Sequence, residues 1–146
     1  MNYKEIINKL PYTQPFLFVD ELLEVSEKGC TGSYTYKASE FFYEGHFRDN
    51  PITPGVILTE TMAQIGVVCL GVYLLKEELL KGGMPQIALS SHQMDFYLPV
   101  YPEEKVTVIS EKEYFRFNKL KCNIKMWNSS QELVCKGVIS GMIITK

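Results

Sequence analysis

The sequence has few of the residues that mark metalloproteins, disulfide-rich proteins or nucleic-acid-binding proteins. Its 146 residues include four cysteines and two histidines, and the formal net charge is −2. No C-x-x-C pair and no histidine-rich spacing is present, so we predict neither a metal site nor a disulfide framework. The four thiols are those of a reduced, cytoplasmic protein. The small negative charge argues against general nucleic-acid binding.

Long hydrophobic runs are also scarce, with one exception. The N-terminus lacks the apolar stretch of a signal peptide, and without repeats or linkers the chain is expected to form a single domain over residues 1–146. Residues 56–75 are long and apolar enough to be considered as a membrane span. Because Glu60, Gln64 and two glycines interrupt this run, we predict a buried core helix and no membrane span.

The hydrophobic periodicity predicts a small α+β domain. Residues 2–10 have the stripe of a short amphipathic helix, and the long helix begins at Pro54-Gly55 and ends near residue 81. Alternating apolar residues and turn signals predict strands on both sides of the long helix, at residues 16–25, 30–37, 86–91, 94–97, 105–115, 119–127 and 133–144. One buried helix among these strands indicates an antiparallel sheet wrapped around it.

Residues 45–64, G-H-F-R-D-N-P-I-T-P-G-V-I-L-T-E-T-M-A-Q, have the composition of an acid/base site. His46 lies in a loop, where a neutral imidazole can accept a proton near pH 7. Glu60 follows within two turns of the helix start, and apolar surroundings raise the pKa of such a carboxyl group so that it can donate a proton. The simpler alternatives are a loop histidine that packs on Phe47 and an acid that favours a helix N-terminus.

The same segment resembles the signature of the 3-hydroxyacyl-[acyl carrier protein] dehydratases. Residues 10–20, L-P-Y-T-Q-P-F-L-F-V-D, and residues 96–106, F-Y-L-P-V-Y-P-E-E-K-V, are similar to two further blocks of that family. The resemblance implies the hotdog fold in a homodimer or a trimer of dimers. It also implies dehydration of (3R)-hydroxyacyl thioesters of acyl carrier protein to trans-2-enoyl thioesters in fatty acid or related biosynthesis, with no metal or redox cofactor.

The resemblance also implies roles for individual residues. His46 matches the base that removes the C2 proton, and the Ile52 carbonyl matches the group that orients it. Glu60 matches the acid, in the branch with Glu rather than Asp, and would act with His46 of the partner subunit. Gly55 matches the residue whose N–H binds the thioester carbonyl. Gln64, one turn after Glu60, is either a substrate-binding residue that hydrogen-bonds Glu60 or a polar core contact.

The third block departs from the family, which usually has basic residues there that hold the acidic carrier protein. Residues 94–98 contain Asp95 and no basic residue. The sequence therefore predicts weak electrostatic steering at this segment, with Arg48, Arg116 or Lys119 as alternative docking residues, or a specialised carrier.

Other features leave alternatives open. In the family an acyl tunnel passes beside the helix, and here Ile57, Leu58 and Met62 form the predicted stripe, although the tunnel length does not follow from the sequence. His92 belongs to no motif and is expected to be structural. A hotdog thioesterase remains an alternative, although the loop around His46 is not the thioesterase pattern. A non-catalytic acyl-binding subunit of a heterodimer is the other.

Overall fold

Six strands form one antiparallel sheet in this structure, a computed structural model that describes residues 1–144. Their order across the sheet is β1-β2-β4-β5-β6-β3. Burial alternates along β4 and β5, because one face of the sheet covers the core and the other faces solvent. The strands are β1 (Glu21–Ser26), β2 (Gly29–Thr35), β3 (Ile87–Phe96), β4 (Lys105–Arg116), β5 (Lys119–Asn128) and β6 (Leu133–Ile143).

One long helix, Gly55–Leu74, crosses the inner face of this sheet and is called the central helix below. It is long and apolar enough to cross a membrane, but 83% of its most apolar window is buried inside the structure. It begins as the α-helix Gly55–Ala63, continues through the π-helical turns Gln64–Cys69 and ends as Leu70–Leu74. The predicted antiparallel sheet around one long helix is therefore confirmed, with the helix in the core. Short helices occur at Tyr3–Asn8 (α1), Phe41–Glu44 (3₁₀) and Lys76–Leu79.

Two glycines let the central helix approach the sheet closely. A Cβ at Gly66 would overlap the Cδ1 of Ile124 on β5, and a Cβ at Gly71 would overlap the Cδ1 of Ile87 on β3. The Ser110 hydroxyl on β4 also donates a hydrogen bond of 2.9 Å to the Gly66 carbonyl. Each large aliphatic side chain buried at this contact stabilises the fold by roughly 1.5–3 kcal/mol.

The predicted strand at residues 16–25 is wrong in its first half, since β1 begins only at Glu21. The backbone of Phe16 and Phe18 forms hydrogen bonds with a side chain of the central helix, and pairing with β2 reaches back only to Asp20, whose N–H donates to the Ser33 carbonyl at 2.9 Å. The N–H of Phe18 donates to Gln64 Oε1 at 2.8 Å, and the carbonyl of Phe16 accepts from Gln64 Nε2 at 3.1 Å. The sequence pattern of a buried apolar segment is the same in both cases, so periodicity does not separate them.

Two other element boundaries also differ from the prediction. The strands predicted at 86–91 and 94–97 form one continuous strand, β3. The central helix ends at Leu74, because Leu75 leaves the helical conformation with φ −98° and ψ 13°, and a separate short helix follows.

Strand β3 is an open edge of the sheet. Its inner neighbour is β6, and most of its ten residues are exposed, including the half-exposed Leu89 and Phe96. An edge strand of this length with apolar side chains presents unpaired N–H and C=O groups to another strand. The other edge, β1, has only six residues, among them Glu21 and Glu24.

Candidate active site

His46 lies in a short loop that hydrogen bonds fix on both sides. Its N–H donates to the Phe42 carbonyl at 3.1 Å, and its own carbonyl accepts from the Ile52 N–H at 2.8 Å. The ring Nδ1 lies 2.8 Å from the Ile52 carbonyl oxygen. Because a carbonyl oxygen only accepts, Nδ1 carries the proton of the neutral ring and Nε2 can accept another. The expected contact between Ile52 and His46 is therefore present.

The ring of His46 also stacks on the neighbouring Phe47. The two ring centroids are 3.9 Å apart with an interplanar angle of 25°, and the peptide bond between the residues is cis. His46 is half-buried, whereas Phe47 is exposed. The packing contact considered from the sequence and an orienting hydrogen bond thus occur together at one ring.

Glu60 lies in the second turn of the central helix and is partly buried. Its carboxylate accepts one hydrogen bond, from Gln64 Nε2 at 3.0 Å. Burial raises the pKa of the Glu60 carboxyl above its ordinary value, and the hydrogen bond from Gln64 acts in the opposite direction. The net direction is the one that the apolar sequence context predicts, and it favours a carboxyl group that can donate a proton.

Gln64 is completely buried and lies behind Glu60. Its Nε2 donates to both Glu60 and the Phe16 carbonyl, and its Oε1 accepts from the Phe18 N–H. Of the two interpretations left open by the sequence, the hydrogen bond with Glu60 is observed. A substrate would not reach the Gln64 amide directly, because its surroundings are closed by the chain itself.

A crevice of about 30 Å³ opens beside Glu60. It is mostly apolar and is lined by Tyr12 and by residues of the central helix and the sheet, among them Ala63, Val67, Ile87 and Leu89. The helical residues follow Glu60 at positions i+3 and i+7, which lie on one face.

The same helix face is open toward the helix start. Val56, one turn before Glu60, is 76% exposed in a single chain. Ile57, Leu58 and Met62, which form the predicted substrate stripe, are buried in the core, and Met62 Sδ lies 3.4 Å from Cys135 Sγ. Val56, Ala63 and Val67 share the helix face of Glu60, and of these Ala63 and Val67 line the crevice.

Gly55 is the first residue of the central helix. Among the hydrogen bonds of residues 1–144, none uses the Gly55 N–H as donor, as is usual for the first turn of a helix. A Cβ at this position would lie 3.3 Å from the Phe96 ring at the end of β3. The absence of a side chain leaves this N–H and the helix dipole accessible to an oxygen atom.

The candidate base and acid belong to separate hydrogen-bond networks. Over residues 1–144, no hydrogen bond or ion pair joins His46 to Glu60, and no three Asp, Glu, His or Cys side chains in that range could hold a metal ion. Glu60 faces the first half of β3, whereas Gly55 contacts its last residue, Phe96.

Three residues near the site were not identified from the sequence. Tyr12 lines the crevice beside Glu60, and the hydroxyls of Tyr43 and Thr53 are 2.6 Å apart at the base of the His46 loop. Tyr12 and Thr53 lie inside the quoted motifs, but a motif does not indicate which side chains meet. Tyr43 and Thr53 are ten positions apart, so their contact depends on the fold of the loop.

Comparisons with known proteins show the family of the chain. The family model of the FabA-like domain matches residues 10–137. The chain belongs to the FabA-like family. The 3-hydroxyacyl-[acyl-carrier-protein] dehydratase FabZ of Clostridioides difficile is 32% identical over 147 residues, which cover 100% of this chain and 99% of the relative. The FabZ of Caldicellulosiruptor saccharolyticus is 34% identical over 137 residues, covering 90% and 91%.

Solved structures support the fold of this FabA-like chain. The Dehydratase Heterocomplex ApeI:P from Xenorhabdus doucetiae matches with a TM-score of 0.81 at 13% identity, covering 97% of this chain and 91% of the other. A hypothetical thioesterase from Streptococcus pneumoniae, solved with coenzyme A, has a TM-score of 0.63 at 12% identity, with 86% of each chain covered. At such low identity these matches support the predicted hotdog fold alone, since one fold hosts several activities.

Proposed function

We propose that this chain is a hydro-lyase that dehydrates (3R)-hydroxyacyl thioesters of acyl carrier protein to trans-2-enoyl thioesters. The observation that carries the proposal is the His46 ring: its Nδ1 is bound to the Ile52 carbonyl, which leaves Nε2 as a base. The names of the full-length relatives support the same reaction and carrier.

The reaction balances with the groups present. His46 Nε2 removes the proton from C2, the electron pair of that C–H bond forms the C2–C3 double bond, and the C3–O bond breaks. The Glu60 carboxyl group gives its proton to the leaving hydroxyl, which departs as water; its raised pKa favours this protonated form. The Gly55 N–H stabilises the negative charge that develops on the thioester oxygen. Proton return from His46 to Glu60 resets the site.

We propose that two copies of the chain form the site together as a homodimer. Antiparallel pairing of β3 with its copy would extend the sheet and cover the exposed edge. Such pairing aligns the first half of one β3 with the last half of the other. Glu60, which faces the first half, would then lie near Gly55 and His46 of the partner subunit. Assembly of three such dimers is compatible with this arrangement.

The proposed function also implies an acyl carrier protein as partner and a cellular compartment for the enzyme. The carrier protein would approach the His46 loop, where Arg48 is exposed two residues from the base. Asp95 lies opposite Lys136 of β6, so the departure from the basic pattern is partly balanced on the next strand. We place the enzyme in the cytoplasm, in fatty acid or related acyl-chain synthesis.

Gln64 would act by holding Glu60 and not by touching the substrate.

One assay separates this function from its alternatives. The protein is incubated with a 3-hydroxyacyl thioester of acyl carrier protein, and both enoyl product and free thiol are measured. We expect enoyl thioester without release of free thiol. Free thiol would instead indicate the thioesterase that shares this fold, and neither product would indicate a non-catalytic acyl-binding subunit.

A further inference from the structure

The base of the His46 loop is held by one buried contact between two hydroxyl groups. Tyr43 precedes the loop and Thr53 follows it, and their side-chain oxygens are 2.6 Å apart. Both residues are buried, with exposures of 7% and 3%. Burial raises the pKa of Tyr43 to about 12, so the phenol keeps its proton at physiological pH and the pair remains an uncharged hydrogen bond.

This contact lies one residue from the group that orients the base. The Ile52 carbonyl, which binds His46 Nδ1, belongs to the residue before Thr53. Thr53 is also held from the other side, since its N–H donates to the Val100 carbonyl at 2.8 Å. A peptide plane is rigid, so a shift of Thr53 would move the Ile52 carbonyl and with it the histidine ring.

The fold contains a second tyrosine–threonine pair of the same geometry in a different place. The Tyr36 hydroxyl lies 2.6 Å from Thr61 Oγ1, also in the core. Thr61 is on the central helix, and its hydroxyl additionally donates to the Ile57 carbonyl at 2.9 Å. This second pair connects the central helix to Tyr36, the residue that follows β2. Neither of its residues belongs to the His46 loop.

We infer that Tyr43 and Thr53 are positioning residues that fix the Ile52 carbonyl and thereby keep the proton of His46 on Nδ1 and Nε2 free to act as base. The inference rests on the proposed function for its kinetic consequence. The predicted position of the proton on the His46 ring does not depend on whether the protein is a dehydratase. Two variant series and one spectroscopic measurement test both.

The first series compares Tyr43→Phe with Tyr36→Phe. Each change removes one hydroxyl from a buried 2.6 Å contact, so the Tm should fall by similar amounts. We expect kcat of Tyr43→Phe to fall about tenfold with KM nearly unchanged, because small misplacement of a catalytic group is costly. Tyr36→Phe should retain kcat within about threefold. Equal losses of kcat in the two variants would overturn the inference.

The second series addresses the possibility that Tyr43→Phe fails to fold. Thr53→Ser keeps the hydroxyl and should keep most of kcat. Thr53→Val removes it at nearly constant shape and should behave as Tyr43→Phe does. If serine and valine at this position give the same kcat, the hydroxyl contact does not position the base.

The spectroscopic test needs no substrate. With only two histidines in the chain, nitrogen-15 chemical shifts of both rings can be assigned, and His92, on β3 and outside the His46 loop, serves as the internal reference. At about pH 8, above the ordinary histidine pKa, His46 of the wild type should hold its proton on Nδ1. In Tyr43→Phe and Thr53→Val a mixture of tautomers is expected, while His92 is unchanged. An unaltered His46 spectrum would refute the positioning role even if the protein proves not to be a dehydratase.

Discussion

The two halves of the candidate site are stabilised in opposite ways. His46 lies in a loop in which the backbone, the ring and two neighbouring hydroxyls are all hydrogen-bonded. Glu60 lies on a helix beside an apolar crevice, with Gln64 as its hydrogen-bond donor. The first half gains precision from polar contacts, and the second gains a raised pKa from the loss of water. An acid/base pair at one pH needs both environments.

The comparison predicts the largest effect at the base. Replacement of His46 by Ala should reduce the dehydration rate by roughly two to four orders of magnitude, the usual contribution of a general base. The fold should remain, since the half-buried ring contributes little to the core. Steady-state kinetics and a thermal melt measure the two properties. Retention of more than about a tenth of the wild-type rate would rule out His46 as the base.

The acid half should respond differently, because its burial costs stability. A carboxyl group whose pKa is raised in the folded state binds its proton more tightly there than in the unfolded chain. The stability that this provides is present below the unfolded pKa and is lost as the pH rises through the folded pKa. Glu60→Gln should therefore lose dehydration activity and yet have a higher Tm than the wild type, by a larger margin at about pH 8 than at about pH 5.

The matched change in the loop sharpens this result. His46→Gln should also lose activity, and its Tm at the same two pH values provides the matched comparison. If Glu60→Gln is destabilised at pH 8 relative to pH 5, burial does not dominate the energetics of Glu60.

The smallest effect concerns carrier docking. Asp95 lies on β3, where the family usually has basic residues that attract the carrier. We therefore expect kcat/KM for a carrier-bound substrate to fall only mildly when the salt is raised from a low to the physiological concentration, at which the screening length is about 8 Å. Asp95→Arg should raise kcat/KM at low salt for the carrier-bound substrate and leave a small neutral thioester almost unaffected. A steep salt dependence in the wild type would direct attention to Arg48, Arg116 and Lys119, which charge-removing variants could then rank.

The sequence also predicts the His46 half of the site better than it predicts the Glu60 half. The His46 loop and the start of the central helix follow from local signals: Gly45, the prolines around the loop and the spacing to Glu60. The sheet around a buried helix follows from periodicity. These predictions depend on neighbours along the chain, and the structure agrees with them.

The features that the sequence could not predict depend on contacts between segments that are distant along the chain. Gln64 binds the backbone of Phe16 and Phe18, which prevents the predicted strand from starting there. The crevice lies along Ala63 and Val67 and not along Ile57, Leu58 and Met62, because the position of the sheet decides which helix face stays open. Periodicity identifies a helix that is apolar all round, but it cannot orient that helix.

The most direct test of the account is a mixture of two inactive chains. His46→Ala and Glu60→Gln are purified separately, mixed under conditions in which subunit exchange is demonstrated by differently tagged chains, and assayed for dehydration. If each site combines His46 of one chain with Glu60 of the other, a mixed dimer contains one intact site. Random exchange should then restore about a quarter of wild-type activity. Absence of recovery after proven exchange would contradict a site shared between two copies.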